Sequence, residues 1–295
     1  MKKLEPNNYV HKLLLQELRT EYPEIVSEED TIADALSNIY NNIQNQFVII
    51  FDEWDYPIRE LEEGCQERTD YIEFLRGLFK NSDAKEYVRL AYLTGIMPVV
   101  RTKGQSAVNN FVEYTMTNPM DLAQEIGFTE GEVQSLCEKF GVDFDQMKEW
   151  YNGYNLNGIA MYNPLSVVRA LSAKRFQQYW TTTGTYGDID DLINKNFDGL
   201  REDIIKMLSG NRIPINVSNG KNDLQSFKNK SEVITALIHL GYFAYDADTR
   251  EAYVPNKEIQ DVFYQYMENN ENDNLSQFMR ISEKVLNAVI EGDSE

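Results

Sequence analysis

Two short apolar runs, each closing on polar residues, set the frame of this chain. The first is "FVIIF", Phe47 to Phe51, and it leads straight into Asp52 and Glu53. The second lies in "YVRLAYLTG", residues 87 to 95, and closes on Thr94 and Gly95. Short continuous runs of apolar residues rich in aromatic and β-branched types read as buried strands. Between them "DYIEFLRGLF", residues 70 to 79, carries the apolar spacing of an amphipathic helix. A strand, a crossover helix and a second buried strand describe a βαβ unit, and such units build parallel sheets. The expected class is α/β.

The flanking sequence is mostly helical in pattern. Residues 9 to 45 hold "YVHKLLLQEL" and "TIADALSNIYNNI", both with apolar residues at i, i+3 and i+4. After about residue 117 the texture changes to short capped helices, which dominate to about residue 180. "TEGEVQSLCEKF" has Thr129 and Glu132 at capping-box spacing, and "DFDQMKEWY" repeats the device with Asp143 and Gln146. Asn163 and Pro164 read as the cap and first turn of another helix. "SEVITALIHLG", residues 231 to 241, is a helix stopped by glycine. "YFAYDADTREAYVP" follows as a hairpin, and a further helix starts near Asn256. Helix, hairpin, helix is compatible with a winged-helix-like module.

Composition removes several function classes. The 295 residues suffice for one large domain or two small ones, and 42% apolar content is ordinary for a globular chain. No apolar run is long enough to cross a bilayer, and no apolar stretch follows the two N-terminal lysines, so neither membrane insertion nor a signal peptide is expected. Cys65 and Cys137 are too few for a disulfide framework and fit a reducing, cytoplasmic setting. A net charge of −20 argues against broad contact with a nucleic-acid backbone, including by the winged-helix-like part. His11 and His239, the two histidines, both sit in helical apolar context, which favours structural roles.

The strand ends carry the chemistry. In open α/β sheets, ligands bind at the carboxyl ends of the strands. Asp52 and Glu53 leave such an end, and consecutive residues there point in different directions. One carboxylate can hold Mg²⁺ with its water shell while the next faces an attacking water, the division of labour that phosphoryl transfer needs. Thr94, at the end of the second strand, is placed to meet a γ-phosphate, and Arg101 and Lys103 just beyond can offset phosphate charge. A plain alternative stands beside this: acidic residues often follow apolar strands because the chain is returning to water. A second alternative groups Asp52, Glu53 and Asp55 as the metal cluster of a nuclease. The phosphate loop G-x-x-x-x-G-K-S/T is absent from the sequence. The one Gly-Lys pair, Gly220-Lys221, is followed by Asn222, and Ile215 stands where the first glycine belongs. Without backbone amides and a lysine around the phosphates, little would hold a triphosphate against Asp52 and Glu53.

Longer wording narrows the reading. "FVIIFDEWDYPIRE", "YLTGIMPVV" with "SAVNNFVEYTM", "GFTEGEVQSLCEKF", "MKEWYNGY" with "YNPLSVVRAL", "YWTTTGTY", "NFDGLREDI" and "LIHLGYFAYD" through "YVPNKEI" occur in that order. As a set, from about residue 10 to the end, they resemble the predicted AAA-ATPase-like family of bacteria, in which an ATPase core usually precedes a PD-(D/E)XK nuclease-like domain. The resemblance implies a partial P-loop NTPase parallel sheet over residues 1–117, a helical lid over 118–180, and a winged-helix-like module with a polar tail over 181–295. It implies Walker B roles for Asp52, as metal ligand, and Glu53, as activator of water, with Thr94 in the sensor-like strand and Mg²⁺ and ATP as cofactors. Arg169 and Arg175 fall in the lid-like segment, where either is a candidate second sensor. The family's phosphate loop lies upstream of the segment that opens this chain, and its nuclease-like domain begins about where the chain stops. The expected consequence is a sensor-like strand with an unpaired edge and apolar faces left uncovered, so that the N-terminal third is either poorly stable alone or completed by another protein chain. The absent loop argues against hydrolysis by this chain alone. The alternative is a non-enzymatic protein-interaction module, an ATPase relic.

Overall fold

A computed structural model describes residues 6–62, 64–96, 110–180, 193, 197, 199–217 and 227–269. The protein mixes helices and strands, as the α/β reading expects. The described residues fall into two compact units, one up to Glu113 and one from Tyr114 onward.

The first unit opens with α1 (Pro6–Glu21) and α2 (Ile32–Ile43). The helical stretch read over residues 9 to 45 is thus two helices. Thr31 starts the second with a capping box, its hydroxyl taking the Asp34 N–H while the Asp34 carboxylate takes the Thr31 N–H. Then come β1 (Phe47–Phe51), the short α3 (Tyr56–Glu60), α4 (Gln66–Phe79), the single turn α5 (Ala84–Tyr87) and β2 (Val88–Leu93). β1 and β2 pair in parallel, from Val48 opposite Leu90 to Phe51 opposite Leu93. This is the βαβ unit expected from the two apolar runs.

Among the described residues, only one face of this two-stranded sheet is covered. Phe47, Ile49, Phe51 and Leu93 pack on a core of Leu36, Trp54, Tyr71, Leu75, Phe79 and Tyr87. Tyr87 is fastened inside by donating its hydroxyl to the Leu78 carbonyl at 2.7 Å. Val48 and Ile50 on β1, opposite Leu90 and Tyr92 on β2, are each more than half exposed. The expectation of uncovered apolar surface is met on that face. Among the described residues neither strand has a second neighbour in the sheet.

The second unit contains more strand than its sequence pattern announces. A short 3₁₀ turn (Met120–Leu122) precedes β3 (Phe128–Thr129), α6 (Glu130–Phe140), α7 (Phe144–Tyr151), β4 (Tyr154–Leu156), β5 (Ile159–Tyr162) and α8 (Pro164–Ala173). The three strands form an antiparallel sheet in the order β3-β5-β4. Strands of two to four residues leave no readable period, so this sheet was hidden between the helices. Next come α9 (Leu200–Leu208), β6 (Ile213–Pro214), α10 (Lys230–His239), β7 (Ala244–Asp246), β8 (Glu251–Tyr253) and α11 (Lys257–Asn269). The expected helix, hairpin, helix is α10, β7 with β8, and α11. β6 joins the hairpin to give an antiparallel sheet in the order β6-β8-β7.

Of the aromatic residues between 149 and 154, Tyr151 and Tyr154 belong to the core and Trp150 is half-buried against it. Tyr151 and Tyr154 are buried, and their hydroxyls donate to the Gln177 and Gly241 carbonyls at 2.9 and 2.7 Å. Gly153, with φ of 105°, is needed for close approach as well as for the turn. A Cβ there would lie 1.9 Å from the Pro255 carbonyl oxygen. Buried Glu258, in the first turn of α11, gathers three donors: the Ser166 hydroxyl at 2.7 Å and the Tyr179 and Trp180 N–H groups at 2.6 and 2.9 Å. Burial still pushes its carboxyl above the usual carboxylate range.

Candidate functional site

The site grows out of the ends of β1 and β2. Beyond the last strand residues the parallel ladder continues: the Thr94 N–H donates to the Phe51 carbonyl at 2.8 Å and the Trp54 N–H to the Thr94 carbonyl at 2.9 Å. Register therefore dictates that Thr94 lies beside Asp52 and Glu53. The Thr94 hydroxyl donates to Asp52 Oδ1 at 2.5 Å and accepts the Glu53 N–H at 3.2 Å. The second Asp52 oxygen has no partner among the described residues, and both carboxylates are exposed.

Glu53 has a φ of 51°, in the left-handed region. A side chain there costs on the order of 1 kcal/mol, and such outliers gather at functional sites. The left-handed residue turns the chain sharply off the strand, so the neighbouring carboxylates do not share one hydrogen-bonding position. Asp52 lies in register with Val48 and Ile50, on the uncovered face, because side chains alternate along a strand.

Below this surface lies a buried ionic corner. Asp55 is 2% exposed and faces the Arg59 guanidinium one helical turn on, with Nε 3.1 Å from Oδ2. The same Oδ2 accepts the Ile96 N–H at 3.2 Å. The reading of Asp55 as a third metal ligand beside Asp52 and Glu53 is not supported by this placement. Among the described residues no group of three or more His, Cys, Asp or Glu side chains is arranged to hold a metal ion. Gly95 makes the corner possible, since a Cβ there would lie 2.7 Å from Asp55 Oδ1. Tyr71 donates its hydroxyl to the Trp54 carbonyl at 2.5 Å. Burial, with the Asp55 charge adding to it, pushes the Tyr71 hydroxyl well above its ordinary pKa, so it remains a donor.

Of the residues singled out in the sequence, the structure thus brings Asp52, Glu53 and Thr94 together. Arg101 and Lys103 lie outside the described residues. Arg169 is exposed on α8 in the second unit; burial raises the Tyr179 hydroxyl above its ordinary pKa, and the charges of Arg175 and Arg169 offset part of that. Sequence reasoning missed the roles of Arg59 and Gly95. The i, i+4 spacing of Asp55 and Arg59 was a readable signal for the first. Cys137 is buried and Cys65 half-buried, both as free thiols. No helix among the described residues is long and apolar enough to cross a membrane.

The donor set fits a hard cation of the Mg²⁺ type. An exposed carboxylate oxygen at a strand end, with its partner oxygen fixed by a hydroxyl, suits an ion that takes one or two carboxylates and keeps several waters.

The chain is 32% identical over 153 residues to an uncharacterized protein encoded in the vnfD 5' region of Azotobacter chroococcum mcd 1, a match covering 50% of this chain and 29% of that relative. No solved structure matches the chain. The model of the family described as "Predicted AAA-ATPase" matches residues 5–103, the stretch that holds α1, the parallel strand pair, Asp52, Glu53 and Thr94. Over that segment the chain is similar to the predicted AAA-ATPase-like family.

Proposed function

We propose that the first unit carries the Walker B half of a nucleotide-hydrolysing site, with ATP as substrate and Mg²⁺ as resident ion. The observation that carries this reading is the strand-end triad, Thr94 bonded to Asp52 with Glu53 turned away in a left-handed conformation. Mg²⁺ would supply charge neutralisation on the phosphates, with Asp52 as its protein ligand. Asp52 is oriented for that by the Thr94 hydroxyl. Glu53 accepts a proton from, or orients, the water that attacks the γ-phosphate. Thr94 spans both strands and registers changes at either carboxylate. The sequence contains no G-x-x-x-x-G-K-S/T loop, so a second polypeptide segment grips the β- and γ-phosphates in this reading. Arg101 or Lys103 supplies positive charge in this reading. Hydrolysis then shifts the lid-like and C-terminal parts, a nucleotide-dependent switch.

One observation favours a second reading, a protein-interaction module without turnover. Val48, Ile50, Leu90 and Tyr92 make an uncovered apolar sheet face, a type of surface that usually marks association. The topology α9, β6, α10, β7, β8, with β6 paired to β8, also supports a winged-helix-like arrangement.

Calorimetric titration with Mg²⁺-ATP, with Asp52→Asn in parallel, separates the two. Micromolar binding that the substitution abolishes is the result expected of the first reading. Absence of heat with both proteins, alone and with a co-purified partner, would leave the interaction module standing.

A further inference from the structure

The Asp55–Arg59 corner has no part in the chemistry assigned to Asp52, Glu53 and Thr94, yet it touches the same loop. Asp55 Oδ2 holds the Ile96 N–H, two residues beyond Thr94. Arg59, itself only 11% exposed in its side chain, sits 3.1 Å from that oxygen and fixes it from α3. On the near side, the Trp54 N–H holds the Thr94 carbonyl. The turn at residues 94–96 is therefore pinned at both ends by Trp54 and Asp55, consecutive residues of the loop that leaves β1. Gly95, between the pins, leaves no room for a side chain against Asp55. A buried carboxylate paired with a buried guanidinium is a costly arrangement, often no more stable than an apolar pair of similar volume. Its placement directly beneath an exposed carboxylate and hydroxyl points to a geometric role.

We propose that Asp55 is a positioning residue that, by holding the Ile96 N–H with Arg59 behind it, sets the Thr94 hydroxyl against Asp52. This deepens the Mg²⁺-nucleotide reading of the site and rests on it for its functional consequence, but not for its structural one. What matters in this arrangement is an acceptor for the Ile96 N–H, not the charge. An uncharged pair that keeps the acceptor preserves the site, and an apolar pair that removes it does not.

The test uses two double variants of the full chain, D55N/R59Q and D55L/R59M. Both remove the buried charges together, so neither leaves one unpaired, and only the first keeps an acceptor. Their folding is checked by hydrogen exchange in α4. The readout is the ¹³C-methyl resonance of Thr94, assigned from its loss in Thr94→Ser. Expected is a D55N/R59Q signal overlaying the wild type, with the D55L/R59M signal shifted toward its position in Asp52→Asn, where the Thr94 bond partner is altered. If D55L/R59M does not fold, Asp55→Ser takes its place, since the shorter side chain does not reach the Ile96 N–H. A Thr94 signal unmoved in the variant lacking the acceptor overturns the proposal. Mn²⁺ binding, followed by its paramagnetic resonance spectrum, supplies the functional arm. Loss of the acceptor is expected to weaken it about tenfold or more, the usual effect of removing a support behind a metal ligand. Wild-type protein that binds no Mn²⁺, or binds it equally well as Asp52→Asn, defeats the metal reading, while the Thr94 signal still decides the role of Asp55.

Discussion

At the scale of single residues, the strained carboxylate Glu53 offers the sharpest test. Its φ of 51° suits glycine, so Glu53→Gly relieves local strain while deleting the group assigned to water activation. Part of the gain is lost because glycine also loosens the unfolded chain, leaving a net stabilisation of about 0.5–1 kcal/mol. Urea unfolding reads this directly, and a loss of stability would show that Glu53 makes contacts worth more than its strain. If the proposed Mg²⁺-nucleotide site operates, the same variant should keep Mg²⁺-ATP binding through Asp52 and lose turnover by about 10²-fold or more. Stability and activity moving in opposite directions would separate a functional outlier from a merely tolerated one. That Asp52, Glu53 and Thr94 lie side by side was legible in the sequence because two apolar runs of similar length end on them. Asp55 was legible as a residue but not in its role, since burial depends on α4 and the turn at Gly95 closing over it. Gly153 was readable as a turn former, whereas its contact with Pro255 spans about a hundred residues and has no local signature.

At the scale of elements, the sequence was informative where caps and periods coincide. α2, α6, α7 and α8 start at Thr31, Thr129, Asp143 and Asn163, each an oxygen-bearing cap whose role is local. The βαβ unit was legible because its strands are continuous apolar runs. The same runs misled on burial: a continuous apolar pattern predicts cover on both faces, and among the described residues one face stays open. The small sheet β3-β5-β4 was illegible because pairing over so few residues is decided by the helices packed on it. The open face carries its own prediction. Ile50 is 70% exposed, so Ile50→Lys removes little buried area and should change the stability of the isolated chain by less than about 0.5 kcal/mol. It should also reduce self-association at high concentration, measured by sedimentation velocity, because a charge on an open sheet blocks stacking and edge pairing. A large fall in stability would mean that the face is covered in solution.

At the scale of the whole molecule, charge and burial act against each other as pH falls. With 48 acidic and 28 basic side chains, the chain repels itself at neutral pH, and mild acid relieves part of that. His239 works in the opposite sense. It ends α10 with its ring largely enclosed, and burial lowers its pKa from 6.5 to about 4. The unfolded chain therefore binds a proton over that interval that the folded chain refuses. Stability from this residue is present in full above the unfolded value and is lost as pH falls toward the folded value. By pH 4 the loss reaches about 3 kcal/mol, since each tenfold difference in proton affinity between the two states is worth about 1.4 kcal/mol. Glu258 has the reverse sign: its pKa is raised by burial, so its contribution is present at low pH and declines as pH climbs through the raised value. The raw pH profile is thus flattened by opposing groups, and only a difference isolates His239. His239→Gln, neutral throughout and similar in size, should unfold in urea along a curve that diverges from the wild type below about pH 6.5. The gap should widen in favour of the variant until about pH 4 and remain constant above neutrality. Parallel curves across that interval would show that His239 takes up its proton in the folded protein as readily as in the unfolded chain, and that α10 opens at its end to admit it.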